Sequence, residues 1–216
     1  MDNDIHLNFK NKTALITGGC GHIGGAIARE LSRLGCNLIL IDIDKAKLNK
    51  LRTYIEKKTS VKVSTLEVDL IDTDSSEYIY NHLIKNYTKL DIMINAVGMV
   101  GTNNMKGWNT SFDNQKVNPW NAAIQINLTS IFFLIQKIYA FMNKSKNPTI
   151  VNVSSIYGVH APDWKIYKGT EINNIGAYSV SKAGVVHMTK WLASTLAPTI
   201  RVNCISPGGI LRNQSK

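Results

Sequence analysis

A run of glycines set between two apolar patterns constrains this chain more than any other feature. Lys12 to Thr17 (KTALIT) is a short apolar run, Gly18-Gly19-Cys20-Gly21-His22-Ile23-Gly24-Gly25 follows, and Ala26 to Leu34 (AIARELSRL) repeats its apolar residues with helical periodicity until Gly35 stops it. The order predicts strand, tight turn, helix. Glycine in such a turn permits positive φ and lets backbone N–H groups approach a bound phosphate, while the helix N-terminus adds positive potential. Glycines serving close packing alone are the competing reading, and the flanking strand and helix count against it.

The alternation continues to the end of the chain. Asn37 to Ile41 reads as a second strand, Lys45 to Lys58 as a charged amphipathic helix, and Val61 to Val68 as a third strand ending at Asp69-Leu70. Asp72 or Thr73 can cap a helix beginning near Asp74, and Lys89 to Asn95 is a fourth strand leading into Asn95-Ala96-Val97-Gly98. A long polar segment from Met99 to Pro119 precedes a helix from Trp120 to Met142; Val151 to Ser155, Ala177 to Leu196 and Ile200 to Ile205 complete the series, closed by Ser206-Pro207-Gly208-Gly209. Strands alternating with helices, without repeats or linkers, predict an α/β fold over residues 1–216: one domain built on a doubly wound parallel sheet of Rossmann type. Ligands of such sheets bind at the carboxyl ends of the strands. Asp42, at the end of the second strand with no Arg after it, can accept hydrogen bonds from an adenine-ribose diol and would repel a 2′-phosphate, so NAD is expected over NADP. Asp44 alternatively caps the helix that follows, and one of these two acids does only that.

Two polar groups stand out against the apolar pattern. Tyr178 and Lys182 lie four apart in GAYSVSKAGVV, on one face of the expected helix. A phenol held beside an ammonium has its anion favoured, which brings its pKa down from the usual value near 10 and fits it for acid–base work. Tyr54 and Lys58 match the same spacing, so the pair alone decides nothing. Asn127, in the apolar helix IQINLTSIFFLI, must find partners if buried.

Composition narrows the partners. Of the net charge of +10, residues 136–216 carry ten basic and two acidic side chains, without a Lys/Arg run or interleaved aromatics. This argues against a nucleic-acid groove and leaves either solvated lysines or a small anionic substrate near that end. The three cysteines have no metal-ligand spacing, so no metal is expected and a reducing cytoplasm is. MDNDIHLNFK lacks the apolar core of a secretory signal, and the apolar stretch to Met142, broken by Gln136 and Lys137, reads as short of a membrane span.

Together, Thr17-Gly18…Gly24, Asp69, Asn95-Ala96-Val97-Gly98, Asn127, Ser155, Tyr178…Lys182 and Pro207-Gly208 resemble the short-chain dehydrogenase/reductase family, in order and over nearly the whole chain. The resemblance implies that Tyr178 is the general acid in ketone reduction and the base in alcohol oxidation, and that Lys182 binds the nicotinamide ribose and favours the phenolate. Ser155 would hold the substrate oxygen; it is chosen over Ser154 because Ser155 and Gly158 match Ser-x-x-Gly. Asn127 would hold a proton-relaying water. Thr17, Gly18, Gly21, His22, Ile23, Gly24, Asp42, Asp69, Leu70, Asn95, Ala96 and Gly98 would line the cofactor, with Pro207 and Gly208 behind the nicotinamide. The spacing Thr17-Gly18-x-x-Gly21-x-x-Gly24, with His22 where many members have glycine, resembles the family's longer-chain branch.

Two departures matter. The gap from Ser155 to Tyr178 is longer than the common pattern, inserting HAPDWKIYKGTEINN with Asp163, Trp164, Tyr167 and Lys168 where substrate should enter; subunit contact is the alternative use. Members usually continue through a further helix and a seventh strand, so a chain ending at Lys216 is expected to be a shortened form lacking the last strand. SSIYG, AYSVSKAG and IRVNCISPGGI are most similar to oxidoreductases of flagellin glycosylation and surface polysaccharides, which implies a phosphorylated or nucleotide-linked sugar. A 3-oxoacyl-carrier or small-ketone reductase is the second reading, favoured if the basic residues prove dispersed. A catalytically silent cofactor-binding protein is the third. The family's dimer bundle and the apolar surface of the helices from Trp120 and Ala177 imply a homodimer or homotetramer.

Overall fold

The apolar runs pair into one sheet because helices cover both of its faces. The computed structural model describes residues 7–99, 105–169 and 175–210; part of the polar segment after the fourth strand and the end of the insertion, 170–174, lie outside the described residues. Among the described residues six strands, β1 (Thr13–Thr17), β2 (Asn37–Asp42), β3 (Val63–Glu67), β4 (Ile92–Asn95), β5 (Thr149–Val153) and β6 (Arg201–Ile205), form a parallel sheet in the order β3-β2-β1-β4-β5-β6. The helices are α1 (His22–Arg33), α2 (Lys45–Glu56), α3 (Ser75–Asn86), α4 (Val117–Ile124), α5 (Ser130–Met142) and α6 (Gly176–Leu196). The expected doubly wound α/β fold is present, and its winding reverses between β1 and β4.

Register explains the continuous apolar strands. Leu15 pairs with Met93, and both face Leu83, Leu134, Ile138 and Val185 of α3, α5 and α6. Ala14, Ile16, Leu40 and Ile94 face the other way, onto Ala28, Leu48 and Leu51 of α1 and α2. A strand buried on both faces needs apolar residues at every position rather than at alternate ones.

Several boundaries move. β3, β4 and β5 are shorter or shifted, so Ser154 and Ser155 fall beyond the end of β5. α4 starts at Val117 rather than Trp120, because Pro119 lies in the first turn, where its missing N–H has no intrahelical bond to lose. α4, a π-helical turn at Gln125–Thr129 and α5 form one helical body, Val117–Met142, which by length and composition is long and apolar enough to cross a membrane. The sequence reading that this stretch falls short of a span is corrected on that point. Ile131, Leu134, Ile135, Ile138 and Met142 are nevertheless buried with the sheet, the packing of a core helix.

Candidate active site

A cleft of about 460 Å³ opens at the switch point between β1 and β4. Its floor is the glycine turn. Gly18 has a φ of +64°, and a Cβ there would stand 2.8 Å from the Ala96 carbonyl oxygen and from the Val97 nitrogen, so only glycine allows this approach of the β1 and β4 turns. α1 starts directly after it with Gly21 as N-cap, no side-chain cap and no acidic residue in its first turn. Gly21, His22, Ile23 and Gly24 line the cleft, so the orphan N–H groups of an uncapped helix are presented to it. α2 is finished differently: Asp44 accepts from the Lys47 N–H at 2.9 Å and caps it.

That division separates the two acids at the end of β2. Asp42 lines the cleft, its Oδ2 accepting from the Cys20 N–H at 3.2 Å and its Oδ1 from the Asp44 N–H at 3.3 Å. Lys47 lines the same end, with its ammonium 2.8 Å from Asp44. Asp69 and Leu70 follow β3 into the cleft, Asp69 accepting from the Ile71 N–H at 3.0 Å. Burial, then the adjacent Asp42 carboxylate, pushes the Cys20 thiol up to about 12, which keeps it protonated within the turn.

At the other end stand Tyr178 and Lys182, both lining the cleft from the first turns of α6. Lys182 is only 3% exposed, and its Nζ donates to the Val153 carbonyl at 3.0 Å, so β5 aims the side chain. Burial brings the Lys182 pKa down to about 8. Asn127 sits in the π-helical turn, fully buried. Its Oδ1 accepts from the Met99 N–H at 2.7 Å and its Nδ2 donates to Ser181 Oγ at 2.9 Å, tying the segment after β4 to α6. Gly98 lies between the two groups: a Cβ there would come within 3.3 Å of Lys182 Nζ and 3.8 Å of Asn127 Oδ1.

The two serines divide their work. Ser154 lines the cleft, but its hydroxyl donates to the Lys182 main-chain carbonyl at 2.7 Å. Ser155 Oγ accepts from the Tyr157 N–H at 3.2 Å, which leaves its own proton to donate. The short 3-10 turn Ile156–Gly158 follows, and a Cβ on Gly158 would meet the Lys182 carbonyl carbon and oxygen at 2.6 Å. That close approach packs the turn after β5 directly against the main chain of α6.

Not every expected site residue borders the cleft. Thr17 and Asn95 are buried beneath it as register partners, with Thr17 Oγ1 and Asn95 Oδ1 making no hydrogen bond. Ser155, Asn127, Pro207 and Gly208 are not among its lining residues, the cleft being bordered by Ser154 rather than by the expected Ser155. The Pro207 carbonyl instead accepts from the Ile156 N–H at 2.9 Å and holds the turn after β5. Sequence reasoning missed the buried chain Asn95 Nδ2 to Asn152 Oδ1, 2.8 Å, and Asn152 Nδ2 to Thr189 Oγ1, 2.9 Å, which locks β4, β5 and α6 together below the site. Asn152 within the apolar run TIVNV was the available signal.

Comparison with known proteins agrees with this geometry. The family model for short chain dehydrogenase matches residues 12–215. The post-translational flagellin modification protein A of Campylobacter coli is 31% identical over 209 residues, covering 96% of this chain and 80% of its own. A 3-oxoacyl-acyl-carrier-protein reductase of Thermotoga maritima is 31% identical, covering 94% and 76%. Among solved structures, a short chain dehydrogenase of Shigella flexneri 2a complexed with NADP superposes with a TM-score of 0.82 at 26% identity, over 94% of this chain and 80% of that one. With the switch-point cleft and its glycine turn in place, the chain belongs to the short-chain dehydrogenase/reductase family of nicotinamide-dinucleotide oxidoreductases.

Proposed function

We propose that this protein interconverts a secondary alcohol and a ketone with NAD, acting on a phosphorylated or nucleotide-linked sugar in flagellin or surface-glycan modification. The observation that carries the reading is one cleft holding an uncapped helix N-terminus and Asp42 at one end and Tyr178 with Lys182 at the other. The groups fit a dinucleotide: the α1 N–H groups suit its pyrophosphate, and Gly18 leaves the close approach open. When bound, the nicotinamide supplies the hydride. Tyr178 gives its proton to the carbonyl oxygen in reduction and takes it back in oxidation, with Ser155 donating to the same oxygen. Lys182 holds the ribose from its position under Val153, and Asn127 holds a relay water at the π-helical turn. The name of the Campylobacter coli relative supports the flagellin-modification context.

Two further proposals concern cofactor choice and assembly. Asp42 favours NAD because its carboxylate would meet a 2′-phosphate, and the Lys47 ammonium that could offset this is matched by Asp44. Titration with both dinucleotides checks this. NAD should bind at least about tenfold tighter, and Asp42→Ser should narrow the gap; tighter NADP binding by the wild type contradicts it. Leu128, Phe132, Phe133, Gly184, Met188 and Trp191 form an apolar groove between the π-helical turn, α5 and α6, with Phe133 51% and Trp191 52% exposed. That groove is the proposed homodimer face.

A second reading is favoured by one observation. Several basic residues of the last third lie away from the cleft: Lys137 pairs with Glu77, Lys144 lies over Phe141, and Arg201 opens β6 at the amino ends of the strands. This weakens the charge argument for an anionic substrate and suits a 3-oxoacyl or small-ketone reductase, the activity named for the Thermotoga maritima relative. NADH oxidation with acetoacetyl thioester, run beside NAD reduction with UDP-glucose and glucose 6-phosphate, separates the two.

A further inference from the structure

The turn of α6 that carries Tyr178 is weakly held by its own helix. Ile175, the N-cap, makes no side-chain cap hydrogen bond, Gly176 opens the helix, and Tyr178 lies within the first turn, where N–H groups have no intrahelical acceptor. What positions Tyr178 therefore comes from outside the helix. Gln115 Oε1 accepts from the Gly176 N–H at 3.3 Å, and Tyr178 packs against the cluster of Met99, Trp108, Ala123 and Ile175. One turn on, Ser181 is fully buried, and its hydroxyl donates back to the Tyr178 carbonyl at 2.8 Å. Lys182 has anchors of its own, the Val153 carbonyl on its Nζ and Ser154 on its main chain, so a loss at Ser181 loosens the phenol rather than the ammonium.

A serine hydroxyl has one proton, so the bond to the Tyr178 carbonyl leaves Ser181 Oγ only lone pairs, and Asn127 Nδ2 donates to them at 2.9 Å. The Asn127 amide is oriented from its other end, because only its oxygen can accept from the Met99 N–H, at 2.7 Å. Three hydrogen bonds thus run from Met99 through Asn127 and Ser181 to Tyr178, joining two residues that line the cleft. Packing keeps the chain short. Gly184 lies three residues after Ser181 on the same face, and a Cβ there would stand 2.7 Å from Leu128 Cδ2 of the π-helical turn. Placement matters at this point, since an error of about 1 Å in a reacting group can cost on the order of 10²-fold in rate. We propose that Ser181 is a positioning residue of the reaction: its hydroxyl, held by Asn127, fixes the uncapped first turn of α6 and with it the Tyr178 phenol, an inference that rests on the hydride-transfer reading above.

The test titrates the Tyr178 phenol by NMR in NAD-saturated protein carrying isotope-labelled tyrosine, its signal assigned by its loss in Tyr178→Phe. Ser181→Ala should make the phenol about three- to tenfold harder to ionise, because a loosened turn carries it away from the ammonium. Ser181→Cys, of similar volume but with a weakly bonding thiol, should move it the same way and serves where alanine loosens the fold. Asn127→Ala should act in the same direction, and the double variant Asn127→Ala with Ser181→Ala should match the larger single effect, since both cut one chain. NAD affinity of Ser181→Ala should stay within about twofold of wild type. An unmoved titration overturns the proposal, as do effects that multiply in the double variant, or NAD affinity falling by the same factor, the mark of a generally loosened cleft. The titration needs no substrate, so the two readings fail separately: turnover that survives in Tyr178→Phe contradicts hydride transfer at Tyr178, while the wild-type and Ser181→Ala titrations still report on the turn.

Discussion

Identical spacing gives two tyrosine–lysine pairs opposite fates. Just past the end of α2, Lys58 Nζ lies 4.8 Å over the Tyr54 ring, a surface cation–π contact away from the cleft. On α6, Lys182 is buried and aimed by Val153. Local spacing could not tell them apart, because the difference lies in which strand end the helix abuts. The buried lysine makes a pH prediction. Its pKa falls from 10.5 to about 8 on folding, so below pH 8 both states carry the proton and the folded state bears the cost of a buried charge. As pH rises from about 8 toward 10.5 only the unfolded chain keeps that proton, so the contribution of Lys182 to stability increases across this window. Urea unfolding of wild type against Lys182→Met should show a relative gain of about 3 kcal/mol; a flat difference would mean that the charge is solvated. Gly158 offers a steric prediction. Gly158→Ala places a methyl 2.6 Å from the Lys182 carbonyl and should cost about 1–3 kcal/mol with a marked drop in turnover; wild-type melting and rate would show that the turn can retreat.

At the level of elements, what a strand end carries decides where chemistry and stability reside. The carboxyl ends carry the glycine turn, Asp42, Asp69 and Gly98, whereas the amino ends are held by Asp91. Asp91 is 1% exposed, accepts from the Thr13 N–H at 3.0 Å and from Ser145 Oγ at 2.5 Å, and pairs with Lys12 and Lys89 at 3.1 and 3.0 Å. Burial alone would raise its pKa, but the Ser145, Thr13, Lys89 and Lys12 contacts together hold it below the ordinary carboxylate value. The stability it contributes is present above that ordinary value and is lost as pH falls through the depressed one. Asp91→Asn should cost about 3 kcal/mol near neutral pH, and the wild-type advantage should shrink on acidification; an unchanged urea midpoint would contradict the network. Strand and helix order was legible in the sequence because burial on both faces forces apolar runs, and turn glycines mark the junctions. Asp91 read only as part of a strand, since nothing local signals that β1, β4 and the segment before β5 meet there. The start of α4 and the turns of the insertion were hidden for the same reason: Trp108 and the start of α6 come together only in three dimensions, where Gln115 Oε1 accepts from the Gly176 N–H at 3.3 Å.

For the whole molecule, the strand order β3-β2-β1-β4-β5-β6 converts residues far apart in sequence into one cleft, with Asp42 and Lys182 lining opposite ends. The ordered set of motifs made that cleft legible; the Asn127–Ser181 bond and the Asn95–Asn152–Thr189 chain were not, because each joins residues with no shared pattern. The apolar face of α5 and α6 sets the expected assembly. Light scattering should give at least a dimer, and Trp191→Asp should shift it toward monomer, whereas a monomeric wild type would contradict that face as an interface. The central claim is proton transfer at Tyr178 coupled to hydride transfer in the cleft, and single-turnover NADH fluorescence in wild type and Tyr178→Phe tests it most directly. NAD affinity within about twofold of wild type, with hydride transfer slowed roughly 10²–10⁴-fold, is the expected result; an unslowed Tyr178→Phe protein would contradict it.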